Sequence, residues 1–237
     1  HSDFGFDDMV ILYRTNVQSR AVEDVLRREG VPYVIVGGVK FYARKEVKDI
    51  LAYLRLIVNP SDGISFDRIV NFPARGIGKT TLEKIHKLAN DNDYTYLRVL
   101  GELDMLSVGV KQKKALHEFN QLIHKYRTSY KEQGASSITK DLLADIDLQN
   151  YYENQNTQEA LERWGNVQEL LNSITDFQDN RDQNGLCEFL EEVSLLTDID
   201  RWNESEKAVT LMTIHSAKGL EFPVVMVTGL EEGLFPL

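Results

Sequence analysis

The sequence is poor in the features that mark secreted or membrane proteins. Its 237 residues include one cysteine, Cys187, so no internal disulfide framework can form and a reducing cytosol suits the chain. No apolar run approaches the ~20 residues of a membrane span, and no leader-peptide pattern opens the chain. Internal repeats, low-complexity tracts and clustered Asp/Glu-x-Lys nuclease signatures are also missing. The chain opens with His1-Ser2 in place of Met and stops at Leu237 just after a Gly-Leu-Phe-Pro turn. The expectation is therefore a piece of something longer. A hydrophobic content of 42% with 27% charged residues is that of an ordinary globular protein, large enough for one domain or two smaller ones.

The net charge of −10 argues against a polyanion partner, but it hides an asymmetry. Residues 40–90 hold ten Lys/Arg against five Asp/Glu, a local +5, whereas residues 182–206 hold eight acids and one Arg, a local −7. Affinity for a polyanion follows local charge, so the basic tract is either a phosphate-facing surface or a solvated helix face.

Apolar patterning divides the chain into two textures. "DMVILYR" (8–14) reads as a buried strand, and "NVQSRAVEDVLRREG" (16–30) as a helix. Asn16 is expected to cap that helix, Val17, Ala21, Val25 and Leu26 to share its apolar face, and Gly30 to stop it. "VPYVIVGG" (31–38) reads as a second strand, which makes a βαβ unit of a parallel sheet. From 47 to about 199 the pattern is helical: 47–59, 65–72, 80–90, 110–132, 138–150, 158–177 and 186–197, joined by turn-forming stretches. Strand character returns with "VTLMTI" (209–214) and "PVVMVTGL" (223–230). An α/β domain interrupted by a helical insertion is the architecture that this order implies.

"PARGIGKTT" (73–81) invites a reading as a nucleotide phosphate loop and fails it. Such a loop needs Gly five positions before Gly78, and Pro73 stands there, without an N–H and with a fixed φ. What remains is Gly76-x-Gly78 opening a basic helix with Lys79, Thr80 and Thr81 in its first turn. That arrangement is either a clamp for a nucleic-acid backbone or a plain helix start.

Four stretches, "ILYRTNVQSRAVEDVL", "VGGVKFYARKEVKDILAYLRLIVNP", "RIVNFPARGIGKTTLEKI" and "LMTIHSAKGLEFPVVMVTGLEEGLFP", decide the reading. Taken together and in order, they resemble the PcrA/UvrD/Rep group of superfamily-one DNA helicases, with wording most similar to the PcrA type. The likeness spans nearly the whole chain and is weakest from about 91 to 203.

The resemblance implies an α/β fold that is part of a RecA-like parallel-sheet motor domain (2A), interrupted by a large all-helical inserted domain (2B). Residues 1–44 and 205–237 would form 2A, and 45–204 would form 2B. It further implies an ATP-dependent 3′–5′ helicase of DNA repair and replication, in the bacterial cytoplasm. ATP with Mg2+ would be bound mainly by a first motor domain that this sequence does not contain, and no metal site of the chain's own is implied. The implied partners are single-stranded DNA, single-strand/duplex junctions, and repair, replication or transcription proteins; no membrane is among them. An alternative is a non-catalytic DNA- or protein-docking module of helicase-like origin.

Residue by residue, Arg14, Asn16, Lys40, Thr213 and His215 would line the single-strand track. Glu221 with Gly219 would face ATP at its ribose, and Gly76, Gly78, Lys79, Thr80 and Thr81 would grip the duplex. Phe41 and Tyr42 are open to two readings, stacking on bases or packing beneath the loop, and Arg20 is expected to tie down its own loop. Where some relatives continue Phe-Pro-His, this chain has Leu237.

Overall fold

The computed structural model describes residues 4–180, 185–202 and 207–231, the side chains of 198–202 excepted. The acid-rich stretch 182–206 and the joints at 179–185 and 200–208 lie partly outside the described residues, and the turn at 233–236 lies wholly outside them. The chain divides into two compact units, 1–44 with 192–237, and 45–191.

The first unit is built on a four-stranded sheet. Strand β1 (Met9–Tyr13) leads through helix α1 (Ser19–Arg28) to β2 (Tyr33–Ile35), and β3 (Val209–Thr213) and β4 (Val224–Val227) come from the far end of the chain. The order is β2-β3-β1-β4 and every pairing is parallel, the arrangement of a RecA-like α/β fold. The two strands nearest in sequence, β1 and β2, are parallel as expected, yet β3 lies between them. Tyr13 pairs with Thr213 and Ile35 with Leu211, so the carboxyl ends of β1, β2 and β3 finish side by side. Beneath α1 the core is Tyr13, Tyr33, Val209 and Leu211, with Val22 and Leu26 of the helix packed on it.

Helix α1 departs from its expected face. Ala21 and Val25 are exposed, and the buried stripe is polar, namely Ser19, Glu23 and Arg27 at i, i+4 and i+8. Buried charges are tolerated when paired and hydrogen-bonded; Glu23 and Arg27 form an ion pair at 2.8 Å. Nor does Asn16 cap the helix. A short 3-10 turn, Asn16–Gln18, precedes it with Thr15 at the capping position. Arg20 pairs with Asp24 one turn on, at 3.2 Å.

The second unit is helical: α2 (Lys45–Val58), α3 (Gly63–Ile69), α4 (Lys79–Asn92), α5 (Tyr96–Gly101), α6 (Val110–Ser129), α7 (Ala135–Asp145), α8 (Leu148–Glu153) and α9 (Gln158–Asp179). The division between units falls within α10 (Leu186–Trp202). Helix α2 is its axis, with Val47, Ile50, Leu54, Leu56 and Ile57 fully buried, each worth ~1.5–3 kcal/mol of transfer free energy. Asp62 and Thr157 cap α3 and α9 by accepting from Ser65 N and Ala160 N. The helix expected over 138–150 is two helices, broken where Asp147 adopts left-handed φ of 52°. Helix α5, six residues capped by Thr95, was invisible to periodicity because it spans under two turns.

The basic tract 40–90 is not one surface. Arg44 is buried, Arg68 pairs at 2.7 Å with the buried Asp49, and Arg75 is turned onto backbone carbonyls. Burial pushes the Asp49 carboxyl above its usual range, with Arg68 opposing the shift.

Candidate functional site

Three loops meet at the carboxyl edge of the sheet, the place where open α/β sheets present ligand groups. Arg14 leaves β1 and His215 leaves β3, 201 positions apart in sequence. Arg14 Nη1 lies 3.0 Å from Nε2 and 3.2 Å from Nδ1 of His215. A guanidinium only donates, so the imidazole nitrogen that accepts carries no proton. The pair is exposed, which leaves the rest of the guanidinium fork free to take a phosphate oxygen pair.

Thr213 turns its hydroxyl inward to the same loop. Its Oγ1 accepts from Ser216 N at 3.2 Å and lies 2.8 Å from Ser216 Oγ, so the side chain shapes the turn that displays His215. Gly37 sits at φ 73°, and a Cβ there would stand 3.2 Å from Ser216 Oγ; a Cβ on Gly38 would stand 3.4 Å from Asn16 Oδ1. The double glycine thus lets the loop after β2 approach the loops after β1 and β3. Arg14, Asn16, Thr213 and His215 are gathered here. Lys40 follows the glycines, its Nζ 5.1 Å from the Tyr33 ring centre.

Phe41 and Tyr42 belong to packing alone. They are 0% and 3% exposed and meet edge to face at 5.0 Å, so neither offers a ring to a base.

Between β3 and β4, Gly219 adopts φ 85° in an exposed turn. Glu221 is exposed and makes no hydrogen bond or ion pair among the described residues. An exposed, unengaged carboxylate can accept from sugar hydroxyls.

The second unit carries the "RGIGKTT" turn. Asn71 Oδ1 accepts from Arg75 N at 2.8 Å and from Ile77 N at 3.0 Å. Arg75 donates to Phe72 O at 2.7 Å and to Tyr53 Oη at 2.6 Å. Held from within, the turn places Gly76 at φ 76° and Gly78 as N-cap of α4. Lys79 is 91% exposed, its contact with Glu83 a loose 3.9 Å. Thr80 is exposed too, but Thr81 is buried and faces inward.

Sequence reasoning passed over four supporting residues, Gln18 with Gly229 and Asn71 with Arg75. Gln18 Oε1 accepts from the N–H groups of Arg14 and Thr15, both at 3.0 Å, and a Cβ on Gly229 would stand 2.2 Å from Gln18 Nε2. Gly229, at φ 71°, therefore leaves room for the side chain that braces Arg14. Asn71 and Arg75 do the same for the second turn. Gln18 carries no sequence signal, being far from any glycine, and Asn71 and Arg75 carry only a weak one, their nearness to the Gly76-x-Gly78 turn.

The whole chain, residues 1–237, matches the family model described as "UvrD-like helicase C-terminal domain". It is 43% identical over 235 residues to the ATP-dependent DNA helicase PcrA of Bacillus subtilis (strain 168), covering 97% of this chain and 32% of that protein. It is 40% identical over 233 residues to the PcrA helicase of Staphylococcus aureus (strain Mu50 / ATCC 700699) and 37% over 239 to that of Leuconostoc citreum, again covering 98% of this chain and 32% of each relative. The chain thus spans about a third of the length of these relatives. With a parallel sheet gathering Arg14, Asn16, Thr213 and His215 at one edge, it belongs to the UvrD-like helicase C-terminal domain family.

Proposed function

We propose that the chain is the 2A and 2B portion of a bacterial, cytoplasmic, ATP-dependent DNA helicase that moves 3′ to 5′ in repair and replication. Residues 1–44 and 205–237 serve as 2A and residues 45–204 as 2B. The observation that carries the reading is the contact of Arg14 with His215 at the carboxyl edge of the sheet. Two donors from distant parts of the chain converge there with Asn16 and the Gly37-Gly38 turn. Donors of this kind hold phosphates and carry no base information. Lys40 adds a cation to the single-strand track, and Thr213 holds the His215 turn in shape. Gly76, Gly78, Lys79 and Thr80 meet the duplex backbone, with Thr81 buttressing them from inside.

ATP with Mg2+, when bound, supplies the free energy for stepping. The fit of this chain to it is confined to the ribose side: Glu221 is an acceptor, unengaged among the described residues, beside the Gly219 turn, whereas the 73–81 stretch has Pro73 where a nucleotide phosphate loop needs glycine. The phosphates and the ion therefore fall to a separate motor domain. Single-stranded DNA, junctions, and repair, replication or transcription proteins are its partners. Among the described residues no helix is long and apolar enough to cross a membrane.

The test is a pair of titrations with the full-length protein, one on single-stranded DNA and one on a duplex with a 3′ tail. Lys40→Ala weakens both, because both contain single strand; Lys79→Ala weakens only the tailed duplex. Each lost contact lowers the slope of log affinity against log salt, by about 0.7 on a single strand and about 0.9 on duplex. Tailed-duplex affinity and unwinding untouched by Lys79→Ala would return "RGIGKTT" to a plain helix start.

A further inference from the structure

We propose that Glu23 is the positioning residue of the single-strand track, acting through the loop that carries Lys40. The inference rests on the reading of Lys40 given above and adds what holds it in place. Glu23 lies in the middle of α1 with no exposed surface. Its Oε1 accepts from Ser19 Oγ at 2.7 Å, and its Oε2 accepts from Arg27 Nη2 at 2.8 Å, Tyr33 Oη at 3.0 Å and the backbone N–H of Phe41 at 3.0 Å. Arg44 Nη2 stands 3.7 Å from Oε1 and donates to Ser19 Oγ at 2.6 Å, while Arg44 Nε donates to the carbonyl of Val39.

These partners bracket one segment. Phe41 is tied directly to the carboxylate, Arg44 through Ser19, and Val39 through Arg44, and Lys40 lies between Val39 and Phe41. Tyr33, whose hydroxyl Glu23 holds, is the ring beneath Lys40 Nζ. The backbone next to Lys40 and the ring under its ammonium are thus set by one buried group. A charged hub is expensive to bury, and Arg27 and Arg44 offset that cost. Arg44 is also the last residue of the sheet unit, so the clamp sits where the chain departs for the helices.

Both oxygens of the side chain are needed as acceptors. Glu23→Gln keeps one oxygen, which the three donors at Oε2 claim, and turns its amide toward Ser19 and Arg44. It should release the Arg44 end and spare part of the Lys40 end. Glu23→Ala should release both.

The experiment uses the full-length protein and reads single-strand affinity for Glu23→Ala, Glu23→Gln, Lys40→Ala and the double variant Glu23→Ala/Lys40→Ala. Hydrogen exchange over residues 39–44 is read alongside. Glu23→Ala should match the affinity loss of Lys40→Ala and share its fall in salt slope, about 0.7 for one contact. The double variant should lie within about twofold of the weaker single one, since effects through one contact do not add. Exchange should quicken over 39–44 in Glu23→Ala and remain normal in Lys40→Ala; a merely structural role would instead quicken exchange across the whole sheet. Where Glu23→Ala does not fold, Glu23→Gln carries the same comparison with a smaller loss. Losses that multiply in the double variant, or wild-type affinity in both Glu23 variants beside a weakened Lys40→Ala, overturn the inference and leave the single-strand reading standing. Lys40→Ala without effect removes that reading and the inference together.

Discussion

Arg75→Met takes away the guanidinium that holds the "RGIGKTT" turn while keeping a side chain of similar length. In the native protein Arg75 makes short hydrogen bonds to Phe72 O and Tyr53 Oη, at 2.7 and 2.6 Å, and lies 5.2 Å from the Phe119 ring centre. A hydrogen bond from a charged donor contributes ~1.5–3 kcal/mol. Because Arg75 is half-buried and water can replace part of each bond, the lower end applies, giving about 3 kcal/mol for the two. For a chain of this size, about 2–4 °C is lost per kcal/mol, so the helical unit should melt roughly 6–12 °C lower. Scanning calorimetry measures this, with Arg75→Lys as a companion that keeps charge but not the fork and should fall between. The same variant should weaken tailed-duplex binding and leave single-strand binding alone, because Arg75 holds the turn that displays Lys79 and lies in the helical unit, whereas Lys40 belongs to the sheet unit. A melting temperature within about 2 °C of wild type would refute the reasoning, for it would mean that Asn71 alone closes the loop.

Glu221→Ala in the full-length enzyme should weaken nucleotide binding or uncouple hydrolysis more than it weakens DNA binding; unchanged nucleotide affinity and unchanged DNA-stimulated turnover would end its assignment to the ribose. The 237-residue chain by itself should show no DNA-stimulated ATP hydrolysis, since Pro73 spoils its one phosphate-loop likeness, and activity abolished by Lys79→Ala would contradict this. Tyr13, fully buried, has its pKa pushed from 10.0 to about 12 by burial first and the nearby Glu23 charge second. An acid with a raised folded pKa keeps its proton when the unfolded chain has lost it, so stability falls as pH rises from 10.0 to about 12, by ~1.4 kcal/mol per unit. Tyr13→Phe should flatten that alkaline limb in urea titrations across the window, and a slope unchanged from wild type would show that another group sets it.

The local chemistry of this chain was legible in its sequence. Short apolar runs at 8–14 and 209–214 read as strands, Gly37-Gly38 closed the second strand, and Pro73 disqualified the phosphate loop. The order of the motifs along the chain was enough to place it among helicases. What tertiary structure alone decided is where sequence neighbours are not spatial neighbours. β3, about 170 residues away, slides between β1 and β2 and so brings His215 to Arg14. Burying a charge alone is prohibitive, yet Glu23, Arg27, Arg44 and Asp49 are buried. The fold delivers their partners from elsewhere, Tyr33 and the Phe41 amide to Glu23 and Arg68 to Asp49, and it likewise brings Tyr53 and the Phe72 carbonyl to the half-buried Arg75. Hydrophobic periodicity is a property of one segment, whereas the satisfaction of a buried charge belongs to several segments at once, and only their packing can reveal it.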